Sequence, residues 1–178
     1  YYDYSGVYHP YVHGDLGDTP APRGYKPFYI SHVGRHGSRF PVDRKYVFDG
    51  MDPFLKAEAA GILTDEGRKV LEAYRRLDSL SSGEYGMLCP LGAAEHKGIA
   101  SRMAARFPSV FSRRDSIVAV STYKQRCIMS AASFLSALTA RCPDLRIGLA
   151  AGDKYYDMLS REDKAKPGLK TGAVEAEA

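Results

Sequence analysis

Apolar residues recur along this chain with two periods, and the places where the period changes mark out its elements. Residues 28–33, from Phe28 to Val33, form a short apolar and β-branched run between Pro27 and Gly34, the pattern of a buried strand. A short helix is predicted around residues 54–60, behind Asp52 and Pro53. Thr64, Asp65, Glu66 and Gly67 read as a helix start, and Val70, Leu71, Tyr74 and Leu77 then keep one apolar stripe to about Leu80. After a Ser- and Gly-rich loop over 81–86, Leu91 and Gly92 open a second helix. In it Ile99, Met103 and Phe107 recur every four residues until Pro108 stops it. Residues 116–122 are another compact apolar strand. They run directly into a helix over 123–140, patterned by Ile128, Phe134, Leu135 and Leu138, and residues 146–151 fit a further strand.

Strand, short turn and long helix in that order indicate an α/β domain with a mainly parallel sheet. Residues 1–27 carry Tyr, Gly, Pro and Asp without either period, so they are expected to form an irregular arm laid over the domain by its tyrosines. Residues 167–178 fall to small and charged types, a linker or tail, which leaves 28–166 as the α/β portion. A length of 178 residues gives room for one domain with a proper core and not for two.

Composition removes several function classes. With 44% hydrophobic and 26% charged residues the chain reads as globular, not disordered or fibrous. It has no apolar run of about eighteen residues to span a membrane. It opens on Tyr1 instead of Met and shows no signal-peptide core, as an exported protein shorn of its leader would, so a periplasmic or secreted location is expected. The net charge of +4 favours anionic partners, but basic and acidic residues alternate through 65–78 and 154–170 as on a solvated face, and nucleic acid is not expected to bind. Cys89, Cys127 and Cys142 have neither zinc nor redox spacing and read as small buried apolar residues. Pro10 and Gly14 break the helix that would align His9 with His13, so no metal and no cofactor is expected.

The chemistry concentrates just after the first strand, in Arg35, His36, Gly37, Ser38, Arg39, Phe40 and Pro41. Such a grouping should arise by chance in fewer than about one chain in a thousand of this length. It stands where open α/β sheets place ligands, at the carboxyl end of a strand. One imidazole between two guanidiniums is a nucleophile in a cationic cup, and Gly37 is expected to let a ligand approach the backbone. The guanidiniums can fork onto phosphoryl oxygens, and they disfavour the imidazolium form of His36. Arg126, in the opening turn of the helix behind Ser121 and Thr122, brings a third guanidinium to the same end of the sheet.

Residues 35–41 resemble the signature of the second branch of the histidine phosphatase superfamily, the acid phosphatases, phytases and multiple inositol polyphosphate phosphatases. The spacing of Ser121, Thr122, Arg126, Ser130 and Ala131 is similar to the family's distal arginine segment. Leu91, Gly92, Glu95, His96 and Arg102 resemble its intervening helix, and the lead-in from Tyr25 to His32 resembles versions from gut Bacteroidetes. The resemblance covers roughly residues 25–142. It implies a three-layer, phosphoglycerate-mutase-like α/β fold, incomplete in this chain. It also implies a two-step hydrolysis of a phosphorylated small molecule through a phosphohistidine on His36, with Arg35, Arg39 and Arg126 on the phosphoryl oxygens. Members complete the site with a downstream His-Asp or His-Ala-Glu segment that supplies the proton donor, and residues 1–178 contain none. Where phytases often carry Thr and Lys after the signature, this chain has Val42 and Asp43, a departure that points away from phytate, and Arg44 and Lys45 are expected to replace part of the lost charge at the substrate. A phosphomonoesterase of inositol polyphosphates stands first, with an inactive fragment as corollary. A non-catalytic phosphate-binding module and a mutase-like enzyme of the other branch remain open, and nothing in the sequence sets the oligomeric state.

Overall fold

The computed structural model describes residues 9–14, 17, 19–111 and 116–159; the predicted tail lies outside them. Among these residues six α-helices and two strands follow in the order α1 (Arg44–Ala59), α2 (Asp65–Ser81), α3 (Pro90–Arg106), α4 (Pro108–Phe111), β1 (Ser116–Ser121), α5 (Gln125–Arg141), β2 (Arg146–Ala151) and α6 (Tyr156–Leu159), with a short 3-10 helix over Asp153–Tyr155 leading into α6. β1 and β2 pair in parallel, with Ser116 opposite Arg146 and Ser121 opposite Ala151, and α5 is the crossover between them. This is α/β architecture with a short parallel sheet, as the order of periods predicted.

Helix ends follow the local chemistry. Thr64 caps α2 through its hydroxyl, which accepts the Gly67 N–H at 3.1 Å, and Asp65 and Glu66 fill the first turn where the helix dipole favours them. Pro90 occupies the first turn of α3 and Pro108 follows its end. The first helix departs from expectation, since α1 begins at Arg44 and runs through Pro53 instead of starting behind it. Asp43 caps it by accepting the Lys45 N–H at 2.9 Å, and Val47 and Met51, one turn apart, are buried. Phe54 lies against Tyr74 of α2, with ring centroids 6.0 Å apart. That cap and packing offset the roughly 3 kcal/mol that an interior proline costs.

The core sits between α3 and α5, where Ala100, Ala104, Phe111 and Leu138 are buried and Ile30, Met103, Phe107, Ile117 and Phe134 pack around them. The innermost residues of α3 are small, so the large side chains of the predicted stripe flank the contact instead of filling it. Residues 28–33 are not a strand: they pair with no other segment among the described residues, and Phe28 and Val33 are 91% and 87% exposed. Only Ile30 reaches the core, while His32 stacks on Phe134 of α5 at 4.9 Å. An apolar run reports a tendency to burial, but a strand also needs a neighbour for its backbone groups, and β1 takes β2.

Candidate active site

Residues 35–41 make no helix and no long ladder, so their conformation is imposed by what surrounds them. Residues 38–41 run antiparallel to 86–89, with Cys89 N–H donating to the Ser38 carbonyl at 3.0 Å, Phe40 N–H to Met87 at 3.0 Å, and Gly86 N–H to Pro41 at 2.7 Å. Gly86 closes this ribbon at a φ of 73°, where a side chain would be strained. On the other side the loop meets the first turn of α3 backbone to backbone. A Cβ on Gly37 would fall 2.5 Å from the Gly92 carbonyl oxygen, and one on Gly92 would fall 2.2 Å from that of Ser38. The space that Gly37 was expected to leave for a ligand is therefore taken by α3.

Polar side chains of two helices hold the loop. From α5, buried Ser130 accepts the Gly37 N–H at 3.0 Å and donates to the Arg126 carbonyl at 2.7 Å. From α3, Glu95 accepts the Ser38 N–H at 2.8 Å and the Ser38 hydroxyl at 2.7 Å, and also takes the Tyr11 N–H at 3.1 Å. His96 donates from Nε2 to the Arg35 carbonyl at 3.1 Å. Burial pushes the Glu95 carboxyl up, but the donors from Ser38 and Tyr11 together outweigh it and the group lies below its ordinary range. Burial holds His96 below the ordinary imidazole value.

His36 Nδ1 lies 2.8 Å from the Gly37 carbonyl oxygen, which can only accept, so Nδ1 carries the proton. In the neutral ring the lone pair is then on Nε2. The His36 pKa is lowered, mainly by burial; the Gly37 hydrogen bond opposes this, and the charges of Arg126, Arg35 and Arg39 add to it. All three guanidiniums act on His36 as expected charges would, but burial and not charge comes first among the causes. Arg35 is exposed and Arg39 is half-buried, donating to the Phe40 carbonyl at 2.9 Å. Arg126 is half-buried; it donates to the Gly86 carbonyl at 3.3 Å, and its buried Nε has no acceptor among the described residues. An orphaned guanidinium N–H beside a neutral imidazole suits an anionic ligand.

The structure thus brings Arg35, His36, Arg39 and Arg126 together, and it engages Arg44 and Lys45 elsewhere. Arg44 forks onto Asp78 of α2 with bonds of 3.0 and 2.9 Å, and Lys45 pairs with Asp49 one turn along α1. The positioning roles of Glu95, His96 and Ser130 were not predicted. Only part of the signal was available: His96 falls on the same face of α3 as Ala100 and Ala104, where a polar residue on a core-facing stripe is the informative exception, whereas Glu95 lies on the opposite side of the helix from Ala104. Among the described residues no cluster of His, Cys, Asp or Glu is placed to hold a metal ion.

Comparison with known proteins bears on the family and the fold. Residues 30–172 match the family model of the histidine phosphatase superfamily, branch 2. Multiple inositol polyphosphate phosphatase 1 of Gallus gallus is 38% identical over 130 residues, 71% of this chain and 27% of that protein. The crystal structure of a multiple inositol polyphosphate phosphatase of Bifidobacterium longum, in complex with inositol hexasulfate, superimposes with a TM-score of 0.62 at 25% identity. That match covers 76% of this chain and 29% of the other, so the chain spans under a third of either relative. The two strands, the helices that flank them and the loop around His36 are part of a histidine phosphatase fold, and the chain belongs to branch 2 of the histidine phosphatase superfamily.

Proposed function

We propose that these residues are the nucleophile-bearing portion of a phosphomonoesterase that works through a phosphohistidine on His36 and takes inositol polyphosphates. The observation that carries the reading is the tautomer of His36: Nδ1–H is committed to the Gly37 carbonyl, which leaves Nε2 as a nucleophile in a field set by three guanidiniums. In the first step Nε2 attacks phosphorus and the ester P–O bond breaks, and the departing alkoxide takes a proton. In the second, water attacks the phosphoryl group, the P–N bond breaks, and phosphate leaves. Arg35, Arg39 and Arg126 hold the phosphoryl oxygens and neutralise the charge that gathers on them.

The proton donor is placed outside residues 1–178. Supporting this, the carboxyl and imidazole anchored to the loop, Glu95 and His96, are committed to its backbone. The inositol polyphosphate assignment is supported by the two relatives named above. Within it, Arg44 and Lys45 meet outlying phosphates by giving up Asp78 and Asp49, so they serve polyphosphates and not a simple monoester. The test is to quench turnover of a labelled phosphomonoester in alkali and map the label. An acid-labile, alkali-stable phosphoryl group on the His36 peptide, lost in His36→Ala, is expected. Label on another residue would overturn the reading, and oxyanion binding without labelling or turnover by the full-length protein would establish the non-catalytic alternative.

A further inference from the structure

One face of α3 is covered by the N-terminal arm, and that arm reaches the same carboxylate that holds the loop. Glu95, Arg102 and Arg106 are seven and four residues apart, which at 3.6 residues per turn places them within about 40° of one another around the helix. The arm meets all three in order. Tyr11 N–H donates to Glu95 Oε1 at 3.1 Å, Arg102 donates to the Tyr11 hydroxyl at 3.3 Å and lies 5.6 Å from its ring centre, and Arg106 donates to the Thr19 carbonyl at 3.1 Å. Tyr11 itself is half exposed, so the arm lies on the surface while the residue it grips is buried.

Glu95 therefore joins two segments that are far apart in the chain. Its Oε1 is shared by the Tyr11 amide and the Ser38 hydroxyl, and its Oε2 takes the Ser38 amide. A carboxylate with three donors from two directions has no freedom to turn, and loss of any one donor weakens the others, since each bond polarises its neighbours. Resting on the phosphatase reading above, we propose that Tyr11 and Glu95 are positioning residues for the reaction. The arm fixes the carboxylate, the carboxylate fixes Ser38, and Ser38 fixes the backbone between the His36 nucleophile and the Arg39 clamp.

The test separates the Tyr11 amide from its side chain in the full-length protein. Tyr11→Pro deletes the N–H donor, whereas Tyr11→Ala removes the ring and hydroxyl and keeps it. Steady-state kinetics on a nitrophenyl phosphate are expected to give a kcat for Tyr11→Pro about tenfold below that of Tyr11→Ala, the loss of one hydrogen bond to a charged group, with KM unchanged. In a Glu95→Ala background, which leaves the amide no acceptor, that difference should vanish, as a double-mutant cycle requires when one residue acts through the other. Phosphoenzyme burst amplitude counts the folded sites. Equal kcat in the two Tyr11 variants, a difference that persists in Glu95→Ala, or a loss confined to burst amplitude would each overturn the proposal. His36→Ala keeps the two readings apart: activity surviving in it defeats the phosphohistidine assignment, while its abolition together with equal Tyr11 variants defeats the arm alone.

Discussion

Replacing Gly92 by alanine tests whether the loop around His36 is held by backbone contact. In the first turn of α3 alanine is ordinarily the better helix residue, by up to about 1 kcal/mol, so propensity alone makes Gly92→Ala stabilising. The structure reverses the sign. The new methyl would sit 2.2 Å from the Ser38 carbonyl oxygen and 2.6 Å from its nitrogen, both backbone atoms, and 2.8 Å from Leu88 Cδ1. An ordinary carbon–oxygen contact is about 3.3 Å, so the loop must withdraw by about 1 Å. Withdrawal strains the 3.0 Å bond from Cys89 N–H to the Ser38 carbonyl and the two bonds from Ser38 to Glu95. Overpacking of this kind costs about 1–3 kcal/mol, more than the propensity gain. Displacing a reacting group by about 1 Å can cost on the order of a hundredfold in rate. Urea unfolding of the variant, with vanadate titration and kcat in the full-length protein, measures both effects. A variant as stable as the parent with unchanged vanadate affinity and kcat would show that α3 does not shape the site.

Three further outcomes follow from the same geometry. Arg126→Ala and Arg39→Ala should each weaken phosphate or vanadate binding by at least about 1.5 kcal/mol, in the presence of chelator, by calorimetry; unchanged affinity in both would place the anion site elsewhere. His36 and His96 are both held below the ordinary value of 6.5, chiefly by burial, so the unfolded chain takes up protons first as the pH falls. Stability should be flat above about pH 7.5 and drop as pH falls from 6.5 through the lowered folded values, with a shallower drop in His96→Ala, by denaturant midpoints. Residues 1–178 alone should turn over a nitrophenyl ester far better than an alkyl ester, since proton donation to a poor leaving group is worth about a hundred- to ten-thousand-fold; full activity on the alkyl ester would place the acid within this chain.

How much of this was legible in the sequence depends on whether a feature is local. Thr64, by the bond it makes to a neighbour, and Pro108, by the bond it cannot make, announce helix ends, and the boundaries they predict are close to those observed. Arg126 was found because strand, turn and helix fix the distance from strand end to first helical turn. Residues 28–33 were misread as a strand because pairing is decided by another segment, whereas the apolar pattern belongs to the run itself. Pro53 misplaced the start of α1 for a related reason, since the Asp43 cap and the buried faces of Val47 and Met51 outweigh it. The roles of Glu95, Ser130 and Gly92 were hidden because each answers a backbone atom more than fifty positions away or within the 35–41 loop.

Those hidden residues show how one pair of helices serves both the core and the site. On α3 the stripe of Gly92, His96, Ala100 and Ala104 advances one turn at a time; on α5, Arg126, Ser130, Phe134 and Leu138 do the same. The carboxyl-terminal half of each stripe is apolar and packs in the core, and the amino-terminal half is polar or glycine and grips the loop from opposite sides. The distance between the two grips is consequently set by the small and apolar residues further along the same helices, above all Ala100 and Leu138 at 0% and 1% exposure. A close-packed interior does not yield by fractions of an ångström without cost. The loop can therefore lack regular structure and still hold His36 and two guanidiniums in one arrangement relative to Arg126 of α5, because its geometry is borrowed from the α3–α5 contact.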